Sequence, residues 1–230
     1  MAYSAPMQDD TGLLGNRPAA MRWAYSLWSV VVAVFVIIAI PGLRDLAEPV
    51  DTWFWDLAVA TEWQPAVIMA KVLRIIGTGW VMVPFEIAIA VLLFARHRPK
   101  ALVFWLAAAV TTDAIVWTSK VLYDRSRPPD PLVSTTGDSF PSAHSATAAV
   151  VAIGLVLVFV SISEGRWRWF AAAGGWAVLM AASRVYLRAH WFTDVVAGVA
   201  VGAAIALTFA LLVDGWVGRT ENRGIRPPDE

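Results

Sequence analysis

The sequence predicts an all-α integral membrane protein, a bundle of six transmembrane helices with interfacial helices between the first and second spans. Three observations carry that prediction. Of 230 residues, 58% are apolar and only 16% are charged, too few polar side chains to clothe a soluble domain of this length. Thirteen residues are tryptophan, whose indole ring favours the membrane–water boundary. Six apolar stretches meet or approach the roughly twenty residues that a helix needs to cross ~30 Å of hydrocarbon.

The first stretch runs from about Trp23 to Ile40 and is stopped by Pro41-Gly42. The second covers Gly77 to Ala95, the third Ala101 to Ser119, the fourth Ala143 to Ile162, the fifth Trp169 to Val185 and the sixth Thr193 to Val213. Between the first two, residues 43–76 interleave Trp53, Phe54, Trp55 and Trp63 with Asp51, Asp56 and Glu62, the pattern of helices lying in the interface. Residues 1–20 are expected as a disordered cytoplasmic tail, 21–216 as one six-span domain and 217–230 as a cytoplasmic C-terminal tail. No internal repeat divides the chain, and nothing in it speaks to oligomeric state.

With the amino terminus inside, the inner segments carry ten Lys and Arg residues against eight outside. That bias is small. The short loop Arg96-His97-Arg98-Pro99-Lys100 is the stronger cue, and it places both termini in the cytoplasm of a multi-pass cell-membrane protein. The formal net charge is zero, so no overall field suggests nucleic acid as a partner. There are no cysteines, which excludes disulfides, thiolate metal sites and cysteine nucleophiles. Neither a carboxylate-rich cluster nor a His-x-x-x-His pair suggests a metal or other cofactor.

The six-span reading brings a set of chemically coherent residues to one membrane face. Lys120 ends the third span and Arg127-Pro128 follows; Pro141-Ser142-Ala143-His144 opens the fourth; Ser183-Arg184 closes the fifth; His190 and Asp194 open the sixth. Lys120, Arg127 and Arg184 are cations suited to a tetrahedral dianion. Ser142 stands where a helix N-cap belongs, so the free N–H groups of Ala143 and His144 face the anion. His190 and Asp194 are four residues apart and share a helix face, which lets the carboxylate take one imidazole nitrogen and leave the other to attack. His144 is then the second imidazole, able to protonate a departing oxygen.

These three segments, Lys-x6-Arg-Pro from 120, Pro-Ser-x-His from 141 and Ser-Arg-x5-His-x3-Asp from 183, resemble the signature of the type-2 phosphatidic acid phosphatase superfamily. The resemblance implies an all-helical bundle that removes phosphate from a membrane lipid without a metal, through a phosphohistidine. It implies His190 as nucleophile, Asp194 as its partner, His144 as general acid, and Lys120, Arg127, Ser142 and Arg184 as phosphate ligands, with backbone binding at Ala143. Polyprenyl pyrophosphate, such as undecaprenyl pyrophosphate, is the expected substrate; phosphatidic acid and phosphatidylglycerol phosphate are alternatives. A phosphotransferase and a non-enzymatic anion-binding membrane protein are the readings of other classes. The family usually has glycine where this chain has Ala143, and alanine fits if 143 is the first helical residue.

Each feature has a plainer reading. Lys120 and Arg127 could anchor a helix end at the headgroups, and Arg184 with Asp194 could form a structural ion pair. Arg125, Arg188 and Tyr123 read as loop residues near the site, and His97 as a member of the basic loop. Glu86 and Asp113 lie within spans, where an ionised group costs about 2.5–3.5 kcal/mol on insertion scales, and read as buried polar contacts or protonated acids.

Overall fold

A computed structural model describes residues 12–224, and every regular element among them is helical. The helices are α1 (Arg17–Ala39), α2 (Pro41–Arg44), α3 (Glu48–Ala60), α4 (Gln64–Ile76), α5 (Gly79–Ala95), α6 (Pro99–Tyr123), α7 (Ala143–Phe159), α8 (Arg166–Tyr186) and α9 (Phe192–Gly224). The six expected spans correspond to α1 and α5–α9, and the expected interfacial segment folds as α2–α4.

By length and composition, α1, α6 and the Phe192–Trp216 part of α9 can cross a membrane, and α4 with α5, bent by 48° at the break between them, passes as a fourth. The remaining two fall short for identifiable reasons. Apolar α7 has 17 residues, about 26 Å of helix at 1.5 Å per residue. Helix α8 has 21 residues but carries Arg166, Arg168 and Arg184 among alanines and glycines, which lowers its hydropathy.

Helix α9 is the axis of the bundle, packed along α1 and α7. Lipid tails are as apolar as leucine, so association here comes from close van der Waals packing rather than water exclusion. The residues suit that: Ala146, Ala149, Ala197, Ala200, Ala204 and Ala206 are all buried. Glycines take the closest approach. A Cβ at Gly198 would stand 2.5 Å from the Ser142 carbonyl oxygen, and one at Gly202 2.2 Å from that of Ala146. Outward-facing positions stay apolar: Trp80 is 92% exposed, and Trp117 and Phe94 are also exposed, as expected for a lipid-facing surface.

Part of the segment expected as a tail over residues 1–20 is ordered. Residues 1–11 lie outside the described part, but Leu13 is buried and α1 begins at Arg17, capped by Asn16, whose side chain accepts from the Ala19 N–H at 2.9 Å. The N–H groups of Leu13 and Leu14 donate to Asp214 at 2.6 and 2.9 Å, and Arg166 donates to the Leu13 carbonyl at 2.9 Å. This strap closes the end of the bundle that holds the Arg96–Lys100 loop, where Arg98 donates to the Val158 carbonyl. At the carboxyl side α9 continues as helix to Gly224, through the first residues of the expected tail. The end of α6 and the starts of α7 and α9 lie at the opposite end, with the end of α8.

Candidate active site

Backbone contacts at that end fix the frame. Helix α7 starts at Ala143 because Ser142 caps it, its Oγ accepting from the Ser145 N–H at 3.4 Å and the Ser145 hydroxyl at 3.0 Å. The Ser142 N–H donates to the Asp194 carbonyl at 3.0 Å, which ties the start of α7 to the start of α9. Ala143 is the first helical residue and is not among the residues with positive φ, so alanine is unstrained where the family usually has glycine. The turn from 187 to 190 is held by Ala189 N–H to the Arg184 carbonyl and by Arg127 Nη1 to the Ala189 carbonyl at 2.6 Å.

His190 is 5% exposed and stands between two partners. Its Nε2 is 3.3 Å from Arg127 Nη1, and its Nδ1 is 3.4 Å from Asp194 Oδ2, a contact that falls short of a full hydrogen bond. Arginine can only donate, so the Arg127 contact requires Nε2 to be the acceptor and assigns the proton to Nδ1, toward Asp194. Burial pushes the imidazole below its ordinary pKa, opposed by Asp194 and reinforced by Arg127 and Lys120. Both observations favour the neutral ring, with the Nε2 lone pair directed at Arg127.

The cations converge from different elements. Lys120 donates to the Asp138 carbonyl at 2.6 Å, and Arg127 donates to the carbonyls of Gly137 at 2.9 Å, Thr136 at 3.0 Å and Asp138 at 3.2 Å. Arg184, 2% exposed, approaches the Ala70 carbonyl and the Ser183 hydroxyl at 3.4 Å each and is in electrostatic reach of Arg127 and Arg74. His144 Nε2 lies 3.2 Å from the Arg74 carbonyl, so that nitrogen carries a proton, and its ring is in electrostatic reach of Arg184 and His190. All eight residues singled out in the sequence thus gather at one end of the bundle.

Five residues there differ from the sequence expectation. Arg125 and Arg188 are 6% and 8% exposed, not solvated: Arg125 bonds Asp51 and Asp194, and Arg188 bonds Glu62 at 3.0 Å. Arg125 takes the Asp194 carboxylate, so the Arg184–Asp194 ion pair does not form. Tyr123 packs edge-on to Phe35, beside Phe140. Asp51, read as part of an interfacial helix, is 3% exposed and joins the site. The usable signal is Arg125 itself, two residues before Arg127 in the segment that follows α6. Arg74, which the three motifs leave out, is another: its carbonyl meets His144 Nε2 and its charge reaches Arg184.

Beside His144 opens an apolar cavity of about 500 Å³ between α5, α7 and α8, lined by Val81, Phe85, Thr147, Val151 and Trp176 among others. Its ceiling depends on Gly77, where a Cβ would stand 2.6 Å from His144 Cδ2 and 3.2 Å from Met180 Cε. Gly77→Ala is expected to push the His144 ring off the Arg74 carbonyl and lower turnover about tenfold with little change in thermal midpoint. Parallel kinetics and melts of the variant in detergent check this, and unchanged kinetics would refute it.

The fold and site together define a membrane-embedded helical bundle with an anion-collecting, two-histidine centre at one end. The PAP2 superfamily model matches residues 101–217, half of the chain, and the protein belongs to that family. It is 42% identical over 76 residues to phosphatidylglycerophosphatase B of Bacillus subtilis, a match covering 31% of this chain and 37% of that protein. It is 35% identical over 138 residues to decaprenylphosphoryl-5-phosphoribose phosphatase of Mycobacterium tuberculosis, covering 55% of this chain and 67% of that one. The match thus spans little more than a third of the Bacillus relative and about two thirds of the mycobacterial one. Among solved structures, the transmembrane PAP2-type phosphatidylglycerolphosphate phosphatase from Bacillus subtilis superposes with a TM-score of 0.69 at 26% identity, covering 85% of this chain and 96% of that one. LpxE from Aquifex aeolicus superposes with a TM-score of 0.56 at 20% identity, covering 67% and 91%, a likeness of fold.

Proposed function

We propose that this chain is a metal-independent lipid phosphatase that works through a phosphohistidine on His190. The observation that carries the reading is the orientation of His190, with Nδ1 toward Asp194 and the Nε2 lone pair toward Arg127, with Lys120 in electrostatic reach. In this reading the bound phosphate's negative charge holds His144 as the imidazolium; His190 Nε2 attacks phosphorus, the bond to the lipid oxygen breaks, and that oxygen takes a proton from the imidazolium, which is left as neutral His144. Water then attacks the phosphohistidine, giving its proton to His144 and releasing inorganic phosphate. Lys120, Arg127, Arg184 and the N–H groups of Ala143 and His144 neutralise the equatorial oxygens throughout. The cations thereby do the work that a metal would otherwise do.

The chain is read as one six-span unit over residues 21–216, with α7 and α8 as the short fourth and fifth spans and α2–α4 in the interface. The basic Arg96–Lys100 loop, at the bundle end opposite the site, supports cytoplasmic termini and an extracytoplasmic active site. A substrate whose headgroup reaches the site while its chain lies in the bilayer fits the apolar cavity beside His144. The relatives' names favour a terminal phosphomonoester on a lipid headgroup, phosphatidylglycerol phosphate or a polyprenyl-phosphoryl sugar phosphate. Polyprenyl pyrophosphate is the second reading, supported by Arg74, a fourth cation in reach of Arg184 and His144.

The test is phosphate release from each of these lipids and from phosphatidic acid, by wild type and His190→Ala, with and without a chelator. We expect at least a roughly thousandfold loss of turnover in the variant and none on chelation. Retained turnover in His190→Ala, or a strict metal requirement, would end the mechanism. Labelled lipid product without free phosphate would favour a phosphotransferase.

A further inference from the structure

Asp194 is held by more than His190. Its Oδ2, the oxygen nearest His190, accepts from the Trp191 N–H at 2.9 Å, and its Oδ1 accepts from Arg125 Nη1. The other arm of the Arg125 fork, Nη2, donates to Asp51 Oδ2 at 2.5 Å. Asp51, arriving from α3, also accepts from the Thr193 N–H at 2.9 Å and its hydroxyl at 2.8 Å, so it caps the start of α9 from another helix. Arg125 Nη1 closes the circuit on the Thr193 hydroxyl at 2.8 Å. Asp51, Arg125 and Asp194 are 3%, 6% and 0% exposed.

A buried arginine facing a lone carboxylate closes on both oxygens, because the fork and the carboxylate match. Here that would draw Asp194 away from the imidazole. We propose that Asp51 and Arg125 are positioning residues: Asp51 holds one arm of the fork, so Arg125 takes a single oxygen of Asp194 and the other stays turned to His190 Nδ1. Two carboxylates against one guanidinium also leave one net negative charge in the buried circuit. That charge is matched when the imidazole gains positive character on attacking phosphorus. The consequence for turnover rests on His190 being the nucleophile; the consequence for the imidazole itself does not.

The charged and titratable groups around His190 are Lys120 from α6, Arg127 from the following stretch, His144 from α7 and Asp194 from α9, with Arg125 and Asp51 behind Asp194. Removing the Asp51 charge withdraws support for the imidazolium, and removing the Arg125 charge does the reverse. The test follows the titration of His190 in the full chain, labelled at its three histidines, in detergent micelles by NMR, together with kcat and KM against pH. Asp51→Asn is expected to shift the His190 titration, and the acidic limb of kcat, down by about half to one pH unit. Arg125→Gln is expected to shift both up, and the double variant to return near wild type. In Asp51→Asn, kcat should fall about 10–100-fold with KM nearly unchanged.

A merely structural circuit would lower the folded fraction and leave the titration in place. That result in either folded single variant, or shifts of one sign in both, overturns the proposal. Should Asp51→Asn not fold, Arg125→Gln and Arg125→Lys decide, since only the former should move the titration. If wild type hydrolyses no lipid phosphate, the function reading fails while the titration still decides this one.

Discussion

Arg184→Met is expected to yield a protein more resistant to heat and nearly devoid of turnover. Arg184 is 2% exposed, yet no carboxylate among the described residues lies within ion-pair distance of it; its contacts are two neutral oxygens at 3.4 Å. Arg74 and Arg127 are in electrostatic reach of it, and they repel. A buried cation without a counter-charge destabilises the fold that holds it, and an apolar side chain of similar size relieves that by about 1–3 kcal/mol. The same substitution removes the donor best shielded from water, and loss of one such donor costs about 10²–10³ in kcat. Melts in detergent and kcat/KM for the preferred lipid check both halves. A lower thermal midpoint, or turnover within a few-fold of wild type, would contradict the argument.

Gly202→Leu is expected to cost at least about 3 kcal/mol, the range of severe overpacking. Even Gly202→Ala is disruptive, because the new Cβ would sit 2.2 Å from the Ala146 carbonyl oxygen and 3.0 Å from the Val150 nitrogen. Those are backbone atoms of α7, which can yield only if α7 and α9 separate. Separation would also open the Ser142 N–H contact to the Asp194 carbonyl and so displace His190 from the cations. Gly174→Ala on α8 is the matched control. Nothing lies within 4 Å of its added Cβ, and it should stabilise by about 0.5–1 kcal/mol through helix propensity alone. Equal melting temperatures for the Gly174 and Gly202 alanine variants would show that the close α7–α9 approach carries no such constraint.

The long apolar stretches were legible because a helix in hydrocarbon has to satisfy its backbone internally and shed its charges, and few sequences do both. The starts of α7 and α9 fell within a residue of expectation for a local reason, Ser142 as cap and the Asp194 turn. The gathering of the eight candidate residues was legible because each lies at or near a helix end, where sequence position fixes which end of the bundle it occupies. Asp51 was not. Its partner Arg125 is 74 residues away, and an aspartate beside three aromatics on an amphipathic helix reads the same whether it faces water or another chain segment. The order in residues 12–16 was hidden for the same reason, since Leu13 and Leu14 gain partners from Asp214, two hundred positions on.

Lys120 and Arg127 donate to the carbonyls of residues 136–138, with which an anion has to compete for them. Those carbonyls act as a resident competitor, one that is neutral and tethered. A phosphate entering the site gains only the difference between an anionic oxygen and a peptide oxygen, not the whole strength of a bare guanidinium. Free phosphate, with no hydrophobic chain to add to that difference, gains least. On the proposed function, that difference favours discharge of the product and retention of what is still attached to a lipid.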